Sequence, residues 1–149
     1  MPAFHTVKNV PHTPVQMFEL VADVEKYPEF VPLCESLRVR RRTQSGDGIE
    51  ILVADMSVGY KSIRETFTTR VTLDRPRLRI DVEYIDGPFR FLENRWKFLN
   101  QGDNGCEVDF HIAYEFRNFA LGMLMGAMFD RAFRKFTSAF EARARQVYG

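Results

Sequence analysis

The 149-residue sequence is poor in the groups from which metal and catalytic centres are assembled. It has two cysteines, Cys34 and Cys106, far apart and not in a CxxC pair. A reduced, cytosolic setting is the simplest reading, with a disulfide left open. The three histidines, His5, His12 and His111, show no i,i+4 pairing and no HExxH spacing, so no metal site is expected. GxSxG, P-loop and GxGxxG patterns are absent. Asp86-Gly-Pro88 lacks the lysine and helix start of a phosphate cradle and reads as a turn. Charge of one sign is missing too: 21 basic and 20 acidic residues leave +1, which gives no support to a dedicated nucleic-acid binder. The apolar run near the C-terminus is about 11 residues, against the about 20 needed to span a bilayer. MPAFHTVKNV has no basic region followed by a long apolar run, so neither a signal peptide nor a transit sequence is expected. The expected location is a bacterial-type cytoplasm, with peripheral contact at the inner membrane left open. No repeat, linker or low-complexity segment interrupts the chain. One domain over 1–149, large enough for a real core, is the simplest organisation.

Phenylalanine, with 14 copies, and methionine, with six, are plentiful. Large, flexible apolar side chains suit an ordinary core or an adaptable pocket. Their spacing orders the chain. Ala3–Asn9 alternates weakly as a first strand. Thr13-Pro14 reads as an N-cap and first-turn proline, opening a short helix on Val15, Phe18, Val21 and Ala22, widened by Met17, Leu20 and Val24. Pro28 and Pro32 end it and stiffen Tyr27–Cys34. From Cys34 the period becomes two, with Leu37 and Val39 alternating with Arg38, Arg40 and Arg42. Ser45–Gly48 is a turn. Strands are expected over Ile49–Val58 and Tyr60–Leu73, with Gly59 marking a bend or turn between them. After a turn at Asp74–Arg77, Leu78, Ile80, Val82 and Tyr84 share a strand face. Phe89–Leu99 puts Trp96 and Phe98 on one face. Gln101–Gly105 is a loop, and Cys106–Phe116 points Val108, Phe110, Ile112, Tyr114 and Phe116 inward. About seven strands joined by short turns predict an antiparallel meander.

The last fifth, Asn118–Val147, contains no proline and starts at a plausible N-cap, Asn118. It reads as one helix of roughly 45 Å. Leu121, Met125, Met128, Phe129, Ala132, Phe133, Phe136, Phe140 and Val147 share a face. Asp130, Arg131, Arg134, Ser138, Glu141 and Arg145 take the other. Phe119–Phe129 differs in being apolar all round, and a sheet covers only one side of a helix. An apolar ligand, a second copy of the chain or a membrane surface is the expected cover. Gly122 and Gly126, at i,i+4, permit either close packing or a bend. The fold class expected is α+β: a curved antiparallel sheet wrapped around a long C-terminal helix, with a cavity between them.

These residues resemble a known family. The β-α-β6-α order resembles the helix-grip fold of START-type (Bet v 1-like, polyketide cyclase/dehydrase-like) domains. Within it, Asp23-Val-Glu-Lys-Tyr-Pro-Glu-Phe-Val-Pro-Leu-Cys34, Glu65-Thr-Phe-Thr-Thr-Arg-Val71, Gly87-Pro-Phe89, Trp96-Lys-Phe98, Tyr114-Glu-Phe116 and Arg145-Gln-Val-Tyr-Gly149 resemble the branch of coenzyme Q-binding proteins and bacterial ribosome-association toxins. Leu33 departs from the tryptophan often found before the cysteine, which bears on the shape of the pocket mouth. The resemblance implies binding of ubiquinone or a related isoprenoid lipid, in support of respiration or quinone biosynthesis, with no catalysis and no catalytic cofactor. A toxin-like ribosome-binding protein and a cyclase- or dehydratase-like enzyme are the alternatives. The implied cavity and gate residues are Tyr27, Phe30, Val31, Leu33, Phe67, Tyr84, Phe89, Trp96, Tyr114, Leu121, Leu124, Met125, Met128 and Phe129.

Several side chains carry two readings. Glu65 shares an inward face with Ile63, Phe67 and Val71, and is either a pocket acid with a raised pKa or, the preferred reading, half of a rim salt bridge with Arg95 or Arg143. Arg143 is thus a second polar candidate. An enzyme would draw an acid–base pair from Glu65 with Tyr84 or Tyr114. Cys34 reads as buried packing rather than a reactive thiol, with no activating cation evident. Tyr27–Cys34 is a plug, a ligand gate, or both. Arg38–Arg42 reads as a solvated strand edge, the other reading being contact with acidic head groups or RNA.

Overall fold

The computed structural model describes residues 2–103 and 105–149. Met1, in the expected N-terminal segment, and Asn104, in the expected Gln101–Gly105 loop, lie outside the described residues. Seven strands form one antiparallel sheet: β1 Ala3–Val10, β2 Cys34–Gln44, β3 Ile49–Tyr60, β4 Ile63–Asp74, β5 Arg79–Asp86, β6 Phe89–Asn100 and β7 Cys106–Phe116. Their order across the sheet is β1-β7-β6-β5-β4-β3-β2. Helices α1 (Pro14–Ala22), α2 (Phe119–Arg134) and α3 (Phe136–Tyr148) complete the chain, with a 3₁₀ turn over Val24–Glu29. This is the helix-grip architecture expected from the residue pattern.

Local chemistry fixes the helix starts. Thr13 Oγ1 accepts from the Gln16 amide at 3.1 Å, and Gln16 Oε1 accepts from the Thr13 amide at 2.9 Å. This reciprocal pair satisfies two amides that the first turn would leave bare. Asn118 Oδ1 accepts from the Leu121 amide at 2.9 Å and starts α2. On β7, Val108, Phe110, Ile112, Tyr114 and Phe116 are all buried, as the period of two requires.

Three expectations need correction. The C-terminal helix is not one piece. It breaks at Lys135, whose amide turns to the Ala132 carbonyl at 3.1 Å. Tightening this turn lets Phe133 reach Tyr114 (5.0 Å between centroids) while Phe136 reaches Phe110 (6.0 Å). Both rings then face the sheet, which a uniform 3.6-residue period would not ensure. Val147 belongs to no core stripe and is exposed. Gly59 is neither bend nor turn but a strand residue opposite Arg64; Lys61 and Ser62 form the β3–β4 tip. The bare Cα leaves room for the Glu35 carboxylate, which crosses the strand to pair with Arg64 at 2.9 Å; a Cβ would push that exposed pair aside.

The core lies between the concave sheet face and the helices. Phe89 is its hub near α2. Its ring packs on Phe67, Tyr84, Tyr114, Phe116 and Phe129 at 4.9–6.0 Å between centroids. Trp96 plays the same part near α3, against Phe110 at 4.6 Å and Phe140 at 5.1 Å. Edge-to-face contacts of this kind add about 0.5–1.5 kcal/mol beyond area burial.

Candidate functional site

The sheet and helices enclose a cavity of about 70 Å³. Tyr27, Phe67 and Trp96, three of the expected site residues, line it with Phe133, Phe136 and Phe140. Its polar groups are few. Asn94 Nδ2 donates to the His111 carbonyl at 2.9 Å, and Asn94 Oδ1 accepts from Trp96 Nε1 at 3.0 Å. The Tyr27 hydroxyl donates to the Val21 carbonyl at 2.5 Å, and burial first, then the negative potential of Cys34 and Asp23, drives its pKa far above the usual phenol value. Thr69 is the remaining polar side chain of the lining. At about 30 Å³ per water, such a cavity holds about two waters. Small-molecule pockets run to about 300–1,000 Å³, so the long apolar tunnel expected for an isoprenoid tail is not formed in this conformation. Ring-to-ring contacts fill the space instead.

A larger opening lies at the α2 end. A groove of about 520 Å³ runs between α2, the β3–β4 tip and Pro32-Leu33. Leu33, Leu124 and Met128 meet in its wall, with Ile63 beside them. Leu33 sits at φ +67 and Lys61 at φ +56. Two of the three non-glycine residues with a left-handed backbone among the described residues therefore border one groove. Such conformations cost of order 1–3 kcal/mol each and cluster at binding sites and clamps. Strand alternation places Glu65 on the same face as Ile63 in the groove and Phe67 in the cavity, between the two.

The other expected residues divide by environment. Val31 is buried core, and Phe30 packs edge-on against Phe140 at 5.0 Å. Tyr84, Phe89, Tyr114 and Phe129 form the aromatic cluster under α2. Tyr84 there accepts from the Phe89 amide at 3.0 Å, and burial, its main cause, raises Tyr114 to about 12. Leu121 is half-buried. Met125, expected in the ligand wall, is 1% exposed and belongs to the core, whereas Leu124 beside it is 60% exposed. A Cβ added at Gly126 would meet nothing within 4 Å, and one added at Gly122 would meet only the Phe116 side chain.

The expected salt bridge of Glu65 is not formed. Arg143 pairs with Glu29 at 2.6 Å and lies over Phe30 at 5.0 Å. Arg95 is on the outer face, 3.5 Å from His111 Nδ1. A half-buried Glu65 has no ion pair among the described residues. Arg143 instead borders a polar cleft of about 520 Å³ at the other end of the grip, with Arg42 and Arg75. Cys34 is buried and its thiol is pushed up to about 11 by burial, which keeps it protonated at neutral pH. On β2, Arg40 pairs with Asp55, and Arg42 with Glu25 and Glu50.

Sequence reasoning missed Lys61, Arg131 and Lys135, the three cations around the α2 groove. Leu124, Met128, Arg131 and Lys135 fall at i, i+4, i+7 and i+11, so part of that wall was readable as one helix stripe. Lys61 carried no such signal, because only the β3–β4 register brings it there. No helix among the described residues is long and apolar enough to cross a membrane.

Known proteins resemble this chain in sequence or in fold. The ribosome association toxin RatA of Escherichia coli K12 is 33% identical over 148 residues, covering 99% of this chain and 90% of that protein. The mitochondrial coenzyme Q-binding protein COQ10 homolog B of Xenopus laevis is 28% identical, covering 90% of this chain but 54% of that protein. The solution structure of the 18 kDa protein CC1736 from Caulobacter crescentus superposes with a TM-score of 0.80 at 38% identity, covering 100% of this chain and 99% of that one. The Zhui aromatase/cyclase of Streptomyces sp. R1128 shares the fold at 16% identity and a TM-score of 0.79, with 97% and 94% coverage. With residues 10–141 matching the family described as polyketide cyclase / dehydrase and lipid transport, the chain belongs to that START-type family, in the branch of the coenzyme Q-binding homologues and ribosome association toxins.

Proposed function

We infer that the protein binds a hydrophobic lipid of the isoprenoid quinone class and does not transform it. Two apolar spaces carry this: the α2 groove walled by Leu33, Leu124 and Met128, and a cavity whose Asn94, Trp96 and Tyr27 polar groups are already satisfied, with Glu65 on β4 between Ile63 of the one and Phe67 of the other. Burial of a tail is worth about 0.8 kcal/mol per CH₂, so an apolar wall suffices for affinity. Bulk groove space accommodates the tail, and the grip must loosen for a head group to pass Glu65. A carboxylate accepts hydrogen bonds, so Glu65 favours a reduced, hydroxyl-bearing head over a quinone carbonyl. The enzyme reading has less support. Its acid–base pair would need Glu65 beside Tyr84 or Tyr114, and the Tyr84 hydroxyl is engaged with the Phe89 amide.

The test is organic extraction and mass spectrometry of the purified protein, followed by titration with a quinone and its quinol in detergent. Co-purified quinone, or saturable binding, is the expected result. A protein that carries none and binds neither form overturns the reading.

A second reading is favoured by one observation: the 33% identity over almost the whole chain to proteins named ribosome association toxins. It makes the protein a ligand of ribosomal subunits. Co-sedimentation with subunits at moderate salt tests it, and failure to pellet sinks it.

A further inference from the structure

We propose that the face formed by the first half of α2 and the β3–β4 tip seats on an anionic lipid bilayer, from which the ligand enters the groove; this rests on the lipid-binding reading above. Phe119, Met123 and Leu124 are 83%, 72% and 60% exposed. They make an apolar ridge over adjoining turns of one helix. A helix lying in a membrane interface needs such a ridge and cations beside it.

The cations are present and uncompensated. Lys61, Arg131 and Lys135 border the groove walled by Leu124, and no Asp or Glu lines it. Among the described residues, none of the three forms an ion pair. The opposite cleft differs: there Arg42, Arg75 and Arg143 are each paired with glutamate. On the far flank of the ridge, Glu115 and Asp130 are neutralised by Arg90 and Arg134. A chain of net charge +1 thus concentrates three free positive charges beside its exposed apolar ridge. That combination complements a bilayer with acidic head groups. A nucleic-acid surface would use the cations and leave Met123 and Leu124 uncovered. Docked this way, the groove mouth opens toward the acyl chains, so a lipid need not cross water.

The experiment is vesicle flotation with quinone-free vesicles of phosphatidylcholine alone or mixed with phosphatidylglycerol. The wild-type chain is expected to float with the anionic vesicles only and to be released by salt. Lys61→Glu/Arg131→Glu/Lys135→Glu should lower affinity at least about a hundredfold. Phe119→Ser/Met123→Ser should abolish flotation. Both variants alter exposed side chains, and unchanged circular dichroism and unfolding midpoints establish that they are folded. Equal binding to neutral vesicles, binding to neither, or wild-type binding by the charge variant overturns the proposal. So does ribosomal pelleting that the charge variant abolishes without any vesicle binding, which assigns the face to the ribosome. Because the vesicles hold no quinone, flotation by a protein that never retains quinone in detergent keeps the docking face and removes the ligand reading; the reverse result removes docking alone.

Discussion

The Leu33 carbonyl accepts a hydrogen bond from the Gly59 amide at 3.0 Å, and Leu33 holds a left-handed backbone, φ +67, to do so. The contact ties the proline-stiffened segment before β2 to β3, close to the hairpin tip that borders the α2 groove. Plug and groove wall are therefore one mechanical unit.

Asparagine tolerates a left-handed backbone and β-branched residues do not. Leu33→Ile should accordingly lose about 1–2 kcal/mol, while Leu33→Asn should stay within about 1 kcal/mol of wild type, its lost apolar contact offset by lower strain. Urea unfolding midpoints at constant slope measure both. Equal losses would mean that the strain at Leu33 is not what the site stores.

Neighbouring positions on α2 should behave oppositely. Met125→Asp buries a carboxylate at a site that is 1% exposed and should unfold the protein or cost more than about 4 kcal/mol. Leu124→Asp should change stability by less than about 1 kcal/mol, since its side chain stands in solvent. Thermal unfolding of the two single variants decides it.

Two glycines separate in the same way. Gly87 has φ +143, and a Cβ there would come 2.5 Å from the Phe67 Cβ and 3.0 Å from its Cα, so Gly87→Ala should cost more than about 2 kcal/mol. Gly126 lies inside α2, and a methyl group added there would meet nothing within 4 Å. Gly126→Ala should stabilise by about 0.5–1 kcal/mol. Chemical unfolding of the two alanine variants compares them, and a loss at Gly126 would show that the helix needs its freedom there.

The two thiols predict an alkaline limb. Burial raises both Cys34 and Cys106 from an ordinary 9.0 to about 11. A raised folded-state value means that the native protein holds the proton more tightly than the unfolded chain. The stabilisation is whole below pH 9 and is lost as pH rises toward about 11. Replacing both cysteines with alanine should flatten stability over that window, and both native thiols should react more slowly than free cysteine with a disulfide reagent at neutral pH.

Strand and helix positions were legible because period carries them. The inward run Val108–Phe116 and the caps at Thr13 and Asn118 stand where their spacing predicts. What period cannot carry is three-dimensional neighbourhood. In Phe119–Phe129 every direction is apolar; the helical stripe put Met125 inward and left Leu124 off it, as found, but period alone could not tell a core position from a ligand wall. The break at Lys135 has no proline or glycine to announce it, since it comes from fitting Phe133 and Phe136 to rings on β7. Glu65 was rightly placed inward, but its partner was sought among arginines that the fold sends elsewhere: Arg143 to Glu29, Arg95 to the outer face. Cavity size was illegible for the same reason, because it depends on how fourteen phenylalanines interlock.

The edge position of β1 has a consequence during synthesis. Ala3 pairs with Ala113, 110 positions later. At roughly 5–20 residues per second of translation, the first strand waits roughly 5–20 s for its only neighbour in the sheet. Through that interval β2 to β6 can zip as successive hairpins, while β1 remains an unpaired edge that a nascent-chain chaperone or a neighbouring polysome product can capture.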